Sequence, residues 1–115
     1  MRKTDKKLDN QIRETLTELC DELLDLQVQF QWLTHLVDYD RFPQSLKVVC
    51  IFESEQAQQA FAQSPHLASL QNNLKARLKA LNIALKDVNK HLFLDNEEAC
   101  ERTHQGKWAE RLRQH

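Results

Sequence analysis

Histidine and cysteine are the residue types in this sequence whose chemistry is most easily recognised. Cys100 and His104 stand four positions apart in a segment that predicts a helix, so both could face one ion. A zinc site normally needs three or four ligands of this kind, and His35, Cys50 and His91 could supply the rest only if the fold brings these distant positions together. Because no CxxC, HExxH or HxH pattern is present, we expect no metal ion and no cofactor, with Cys100 and His104 as the remaining metal candidates.

Covalent catalysis is also poorly supported, since it needs a nucleophile, a base and an oxyanion pocket held together. Cys50 lies inside an apolar run that is typical of a buried strand, where a thiol is packed and inert. The single glycine, Gly106, excludes a glycine-rich phosphate loop and a nucleophile elbow. We therefore predict that the protein is not an enzyme. An enzyme or metal-binding protein that uses the five His and Cys residues already named is the last of three alternatives.

Basic and aromatic residues offer a different chemistry, which is contact with a polyanion. Arg41 and Phe42 fall in a predicted loop, where an arginine beside aromatic rings can stack on a base or clamp a phosphate. Residues 65–93 contain five Lys and Arg but one acid, Asp87. A solvated surface of mixed charge is the competing interpretation, since no RNP, GxxG or zinc-finger signature is present. The predicted contact surface for nucleic acid or a protein partner consists of Arg41, Phe42, Lys86, Lys90, His91, Trp108, Arg111 and Arg113.

The composition limits the class of protein. A chain of 115 residues suits a single domain, residues 1–115, and 41% apolar with 29% charged residues is typical of a globular protein. The net charge of −1 argues against a protein that coats DNA. Residues 1–40 carry five basic and nine acidic residues, and residues 41–115 carry eleven and eight, so a polyanion site is expected in the later part. Three widely spaced cysteines and the lack of a membrane-length apolar run favour a cytoplasmic location.

Hydrophobic spacing predicts the elements that would position these residues. Residues 4–26 repeat apolar side chains every three or four positions, which indicates an amphipathic helix. Residues 27–32 alternate strictly, which predicts a first strand with Val28, Phe30 and Trp32 on one face. Residues 46–52 predict a second, buried strand, and the short connection makes the pair antiparallel.

The second half predicts two helices, a third strand and a further helix. Ser54 and Ser64 are expected as N-caps of the two helices. The third strand is placed at residues 88–94, and the two-helix crossover makes it parallel to the second. Asp95 and Glu98 have the spacing of a capping box and predict the next helix start at Asp95.

The expected order is thus α-β-β-α-α-β-α. This is an α+β fold with a small three-stranded mixed sheet and helices mainly on one face. Phe30, Trp32 and Phe52 are expected in its interior, because large apolar residues at strand spacing usually lie there.

Five stretches of the chain resemble a family of small uncharacterised bacterial proteins. They are residues 32–37 (WLTHLV), 41–50 (RFPQSLKVVC), 85–88 (LKDV), 95–100 (DNEEAC) and 106–112 (GKWAERL). Members of this family are sometimes labelled Fis-family transcriptional regulators, so the resemblance implies a bacterial regulator and supplies no mechanism. Fis proteins are all-helical with a C-terminal helix-turn-helix, whereas residues 27–52 here predict strands.

The expected function is therefore that of a cytoplasmic, non-enzymatic protein that binds a macromolecule. The partner is expected to be nucleic acid or a nucleic-acid-associated protein, with no membrane partner, and a homodimer fits either version. The first alternative is a protein-interaction adaptor that uses an apolar sheet face or the acidic first helix.

Overall fold

The computed structural model describes residues 2–115, which form five α-helices, two short 3₁₀ helices and three strands. In chain order the α-helices and strands are α1 Lys3–Asp25, β1 Phe30–Leu36, β2 Lys47–Phe52, α2 Glu55–Ala62, α3 Pro65–Ala80, β3 Leu92–Asn96, α4 Glu97–His104 and α5 Trp108–Leu112. Within this described part the strands are ordered β1-β2-β3, with the first pair antiparallel and the second parallel. The predicted α+β class, element order and mixed sheet are confirmed.

The two long helices, α1 and α3, build the main core on one face of the sheet. The apolar stripe of α1 and that of α3 meet the alternate residues Val48, Cys50 and Phe52 of β2, all of which are fully buried. Burying each such side chain contributes roughly 1.5–3 kcal/mol to folding. The stripes consist of Ile12, Leu16, Leu19 and Leu23 in α1, and of Leu70, Leu74 and Leu78 in α3.

The opposite face of the sheet is covered by the short helix α5. Val49 and Ile51 are also fully buried, and the pleat directs them away from the main core. In register with them lie Trp32 of β1 and Asp95 of β3. The contacts that α5 makes with Trp32 and Asp95 close this second face.

The first strand differs from its prediction because of a bulge. It begins at Phe30, and Gln27 and Gln29 before it have positive φ values of 56° and 61°. The register with β2 shifts between Phe30 and Trp32, so these two residues lie on opposite faces. The prediction that both share one face and belong to the interior is therefore wrong for Trp32, which is only half-buried. Phe30 and Phe52 are buried as predicted, with ring centroids 5.8 Å apart.

The third strand and the following helix also begin later than predicted. The Asp87 side chain accepts a hydrogen bond from Asn89 N–H and starts a 3₁₀ turn over Val88–Lys90, so β3 begins only at Leu92. At its other end Asp95 stays in the strand, and Asn96 caps α4 by accepting from Ala99 N–H at 2.7 Å. The prediction of a capping box that begins at Asp95 is wrong, because the Asp95 carboxylate is bound by Arg111.

The remaining helix boundaries follow local signals. Ser54 and Ser64 are the N-caps of α2 and α3, as predicted, and their hydroxyls accept hydrogen bonds from Ala57 N–H and His66 N–H. Gly106, with φ of +77°, follows the end of α4 in a conformation that favours glycine. No helix among residues 2–115 combines the length and the apolar character that crossing a bilayer requires.

Candidate functional site

Four of the eight predicted contact residues are engaged inside the fold. The Phe42 ring packs against the core and lies 5.5 Å from the Tyr39 ring. His91 is held by its Nδ1, which lies 2.7 Å from the Leu46 carbonyl oxygen. Trp108 and Arg111 belong to α5 and are bound to the second sheet face.

The other four, Arg41, Lys86, Lys90 and Arg113, are exposed, and none forms an ion pair within residues 2–115. The contact between His91 and Leu46 brings the loop after β1 beside the loop before β3. Arg41 and Lys90 therefore lie on neighbouring loops. Asp38, Asp40 and Asp87 are exposed on the same two loops, so the local surface carries both signs of charge.

The metal candidates do not assemble into a ligand set. Cys100 is fully buried, and His104 Nδ1 lies 2.7 Å from the Thr103 hydroxyl. In the described part of the chain, no group of three or more His, Cys, Asp or Glu residues could hold a metal ion. Burial raises the pKa of the Cys50 thiol to about 12, which removes it as a thiolate nucleophile at neutral pH.

Two tryptophans and one carboxylate attach α5 to the sheet. The Trp32 and Trp108 rings meet edge to face with centroids 5.1 Å apart. Both indole N–H groups donate to Glu97, at 2.6 Å to Oε1 and 2.9 Å to Oε2. This arrangement satisfies every polar group of the pair, so we interpret it as structural.

A buried ion pair forms the second attachment of α5. Arg111 donates through Nε and Nη2 to the Asp95 carboxylate at 2.8 Å each, and the Asp95 side chain is only 5% exposed. Burial alone would raise the pKa of Asp95, but hydrogen bonds from Arg111, His115 and the Asn96 N–H outweigh it and leave this pKa below its ordinary value. Asp95 therefore remains ionised and holds α5 in place.

The most distinctive open feature is a groove between α1 and β1, with a volume of about 770 Å³. We call it the α1–β1 groove; its walls include Asp9, Arg13, Cys20 and Asp21 of α1 and Leu33 and His35 of β1. β1 is an edge strand, since it has β2 on one side and no strand on the other within residues 2–115. The groove therefore runs along an open sheet edge.

The hydrogen-bond register shows which backbone groups face the groove. The Val48 N–H points towards β3, since it donates to the His91 carbonyl oxygen at 2.7 Å. Because the polar groups of successive strand residues point to opposite sides, Val49 directs its N–H and C=O towards β1. Val49 is paired with Thr34, which leaves Leu33 and His35 with backbone groups that point away from the sheet. An edge strand with such unpaired groups is a template for another extended chain.

A hydrogen-bonded cluster closes one end of the groove. Asp9 Oδ1 lies 2.9 Å from His35 Nε2 and accepts from the Tyr39 hydroxyl at 2.6 Å, while Oδ2 accepts from Arg13 at 2.9 Å. The hydrogen bonds from His35 and Tyr39 lower the pKa of Asp9, and burial opposes them. Burial and the Asp9 contact raise the pKa of the Tyr39 hydroxyl, so Tyr39 stays protonated and keeps donating. The cluster fixes α1 against β1 and sets the groove width.

The other end of the groove is defined by Cys20 and Asp21. The Cys20 thiol approaches the Leu33 backbone, which agrees with an outward direction for the Leu33 polar groups. A thiol is a weak hydrogen-bond partner, so an added strand that pairs with Leu33 would replace this contact at little cost. Burial, followed by the charge of Asp21, raises the pKa of Cys20. Asp21 itself is exposed and forms no ion pair among the described residues.

Fold and groove together define an α+β protein with a three-stranded mixed sheet, one open sheet edge and a helix lying beside that edge. No family model, no curated protein and no solved structure matches this chain. Function is therefore inferred from the geometry of the molecule.

The sequence pointed to this site only in general terms. The acidic first helix was one of two surfaces expected for an adaptor, but Asp9, His35 and Tyr39 were not connected. Asp9, Arg13 and Thr17 recur every four residues, and this spacing is the signal that could have revealed a polar stripe beside the buried one. The partner strand could not be identified, because 26 residues separate Asp9 from His35.

Proposed function

We propose that this protein is a non-enzymatic adaptor that binds an extended segment of a protein partner in the α1–β1 groove. The single observation that carries the proposal is the open edge of β1, where the backbone groups of Leu33 and His35 face the groove instead of β2. Strand addition at such an edge supplies main-chain hydrogen bonds, and the neighbouring side chains supply specificity.

The proportions of the groove favour a peptide over a small molecule. The open edge covers residues 33–37, which extend over about 14 Å at the usual rise of an antiparallel strand. A segment of about five residues would fill it and pair with both outward-facing residues. We also propose a cytoplasmic location, supported by the three unpaired cysteines.

The experiment starts from a display library of random ten-residue peptides selected on the full chain. Selected peptides are then titrated by fluorescence anisotropy against the wild type, His35→Pro and the matched control His35→Ala. Both variants lose the contact with Asp9, and neither removes a hydrogen bond of the ladder between β1 and β2. Only the proline variant also lacks the outward N–H that an added strand would use. We expect His35→Pro to bind about fivefold more weakly than His35→Ala, because one main-chain hydrogen bond at ~1 kcal/mol is lost.

Cys20 provides an independent readout that needs no variant. It is partly accessible and lies in the groove, whereas Cys50 and Cys100 are fully buried. A selected peptide should slow the reaction of Cys20 with a maleimide in proportion to its occupancy. Equal binding by the two His35 variants together with unprotected Cys20 would place the partner elsewhere and refute the proposal.

A second copy of the chain is the other occupant that this edge admits. Pairing of two β1 edges would give a homodimer, and sedimentation velocity over a hundredfold range of concentration would detect it. If a dimer forms and is dissociated by His35→Pro but not by His35→Ala, the groove would be assigned to self-association instead of an adaptor role.

Nucleic-acid binding remains a second candidate function with a regulatory role. It is favoured by the neighbouring positions of the Arg41 and Lys90 loops, which present unpaired cations. A shift assay with single- and double-stranded DNA and RNA at low and moderate salt tests it, since phosphate contacts weaken steeply with salt. A double change of Lys86 and Lys90 to Glu should reduce binding, and failure of the wild type to bind at low salt would remove this function.

A further inference from the structure

The charges around the α1–β1 groove indicate which kind of segment it accepts. Asp9 is already bound by Arg13, His35 and Tyr39, so it anchors the groove and its charge is compensated by the Arg13 guanidinium. The exposed Asp21 at the Cys20 end has no such partner in the described residues. Its carboxylate stands beside the place where an added strand would pass Leu33.

The opposite end of the groove is acidic as well. Beyond Tyr39 a shallow depression is lined by Asp5, Asp38 and Asp40, with Arg2 as its one basic residue. Arg2 lies 3.2 Å from Asp5 and 3.5 Å from Asp40, and its side chain is 69% exposed. Three carboxylates against one guanidinium leave this end with an excess of negative charge.

Apolar side chains also line the groove. Leu16 forms part of its floor, and Leu33, Leu36 and Val37 line its strand side. Because side chains of an added strand alternate between two faces, only every second residue would point towards α1. An apolar residue is therefore favoured at the centre of the α1-facing side, with one residue towards each acidic end.

We propose that the groove takes an extended, cationic segment in which Lys or Arg at positions i and i+4 flank an apolar residue at i+2. This inference rests on the proposed function and specifies the chemistry of its partner. The two cations face the acidic ends, and the apolar side chain lies between them, beside the His35 ring. The separation between positions i and i+4 is about 14 Å, which matches the distance along β1 from residue 33 to residue 37.

Three synthetic peptides test this pattern on the full chain, each labelled with fluorescein and flanked by glycine. The first contains Lys-Thr-Val-Thr-Lys. The second contains Thr-Lys-Val-Lys-Thr, which keeps composition and net charge but moves both cations to the face opposite Val. The third contains Glu-Thr-Val-Thr-Glu.

We expect the first peptide to bind about tenfold more tightly than the second, since each correctly placed rim charge contributes up to ~1 kcal/mol. The third should bind more weakly than both. Asp21→Lys should weaken the first peptide about fivefold and bring the third closer to it. Asp25→Lys is the matched control, because Asp25 is exposed on the same helix but does not line the groove.

The outcomes separate this inference from the proposed function. Equal binding of the first two peptides, or no difference between the Asp21 and Asp25 variants, overturns the cationic pattern. If His35→Pro still weakens binding of the library-selected peptides, the groove itself remains an adaptor site. Failure of the first peptide to bind at millimolar concentration also overturns the pattern. Whether the groove binds any extended segment is tested separately by the library-selected peptides.

Discussion

The attachment of α5 through Asp95 and Arg111 allows a quantitative prediction of stability. The Asp95 side chain is 5% exposed and that of Arg111 is 20% exposed, so water contributes little screening between them. Removing one member of a buried pair usually costs 3–5 kcal/mol, because the other charge is left buried and uncompensated. We expect the lower end for Arg111→Met, about 3 kcal/mol, since the Asn96 N–H and His115 still contact the Asp95 carboxylate.

The reciprocal change should cost less. Asp95→Asn preserves the shape of the side chain, and the more exposed guanidinium can turn into solvent, so we expect about 2 kcal/mol. The double variant should lose about 3 kcal/mol rather than the sum, which corresponds to a coupling of about 2 kcal/mol between directly contacting residues. Urea unfolding followed by tryptophan fluorescence and by far-ultraviolet circular dichroism measures all four proteins.

The pH dependence supplies a further check with a definite sign. The folded-state pKa of Asp95 is lowered, so the unfolded chain binds more protons as the carboxyl titrates. The stabilisation is fully present above about pH 4, the ordinary range of an Asp, and is lost as pH falls through the lower folded-state value. The advantage of the wild type over Asp95→Asn should therefore shrink in acid. Additive costs of the two single changes at pH 7, or a coupling that persists in acid, would refute the buried ion pair.

Three further changes test other parts of the structure. Asp9→Asn should lower the free energy of unfolding by about 1 kcal/mol above pH 4 and by less in acid. The reason is that the folded-state pKa of Asp9 is lowered, so its stabilisation, like that of Asp95, is lost as the pH falls. Urea titrations at pH 7 and pH 3 measure this difference. Glu97→Ala should remove the shared acceptor of the two indoles, shift tryptophan emission to the red and cost about 2 kcal/mol, whereas an unshifted spectrum would contradict the arrangement. Gly106→Ala should cost about 1 kcal/mol in thermal unfolding, because the residue holds a φ of +77° and a new Cβ would stand 2.8 Å from the movable Glu101 carboxylate.

Sequence reasoning succeeded where a short stretch contains its own physical cause. The leucine stripe of α1, the serine caps of α2 and α3, and the apolar run of β2 all depend on neighbours within one or two turns. The parallel pairing of β2 and β3 followed from the two helices between them, which is a constraint of chain connection. For these elements, local pattern and tertiary structure favour the same conformation.

Prediction failed where a local pattern agreed with more than one structure and contacts with distant residues selected another one. The alternation at residues 27–32 placed Phe30 and Trp32 together, yet a bulge separates them so that one packs on Phe52 and the other on Trp108. Asp95 had the spacing of a helix cap, but Arg111 binds its carboxylate from the second sheet face. Leaving Arg111 without its buried partner would cost more than losing one helix cap, and this partner is 16 residues away, beyond the reach of local spacing.

The candidate site shows the same division. By itself, the sequence determined the class of fold, the acidic character of the first helix and the scarcity of catalytic and metal-binding patterns, because composition and periodicity are properties of the chain alone. Only the tertiary structure decided that Arg111, His91, Phe42 and Trp108 are held inside the fold and that the edge of β1 is open beside α1. The reason is that a groove consists of the space between elements, and that space depends on long-range contacts such as the one between Asp9 and His35.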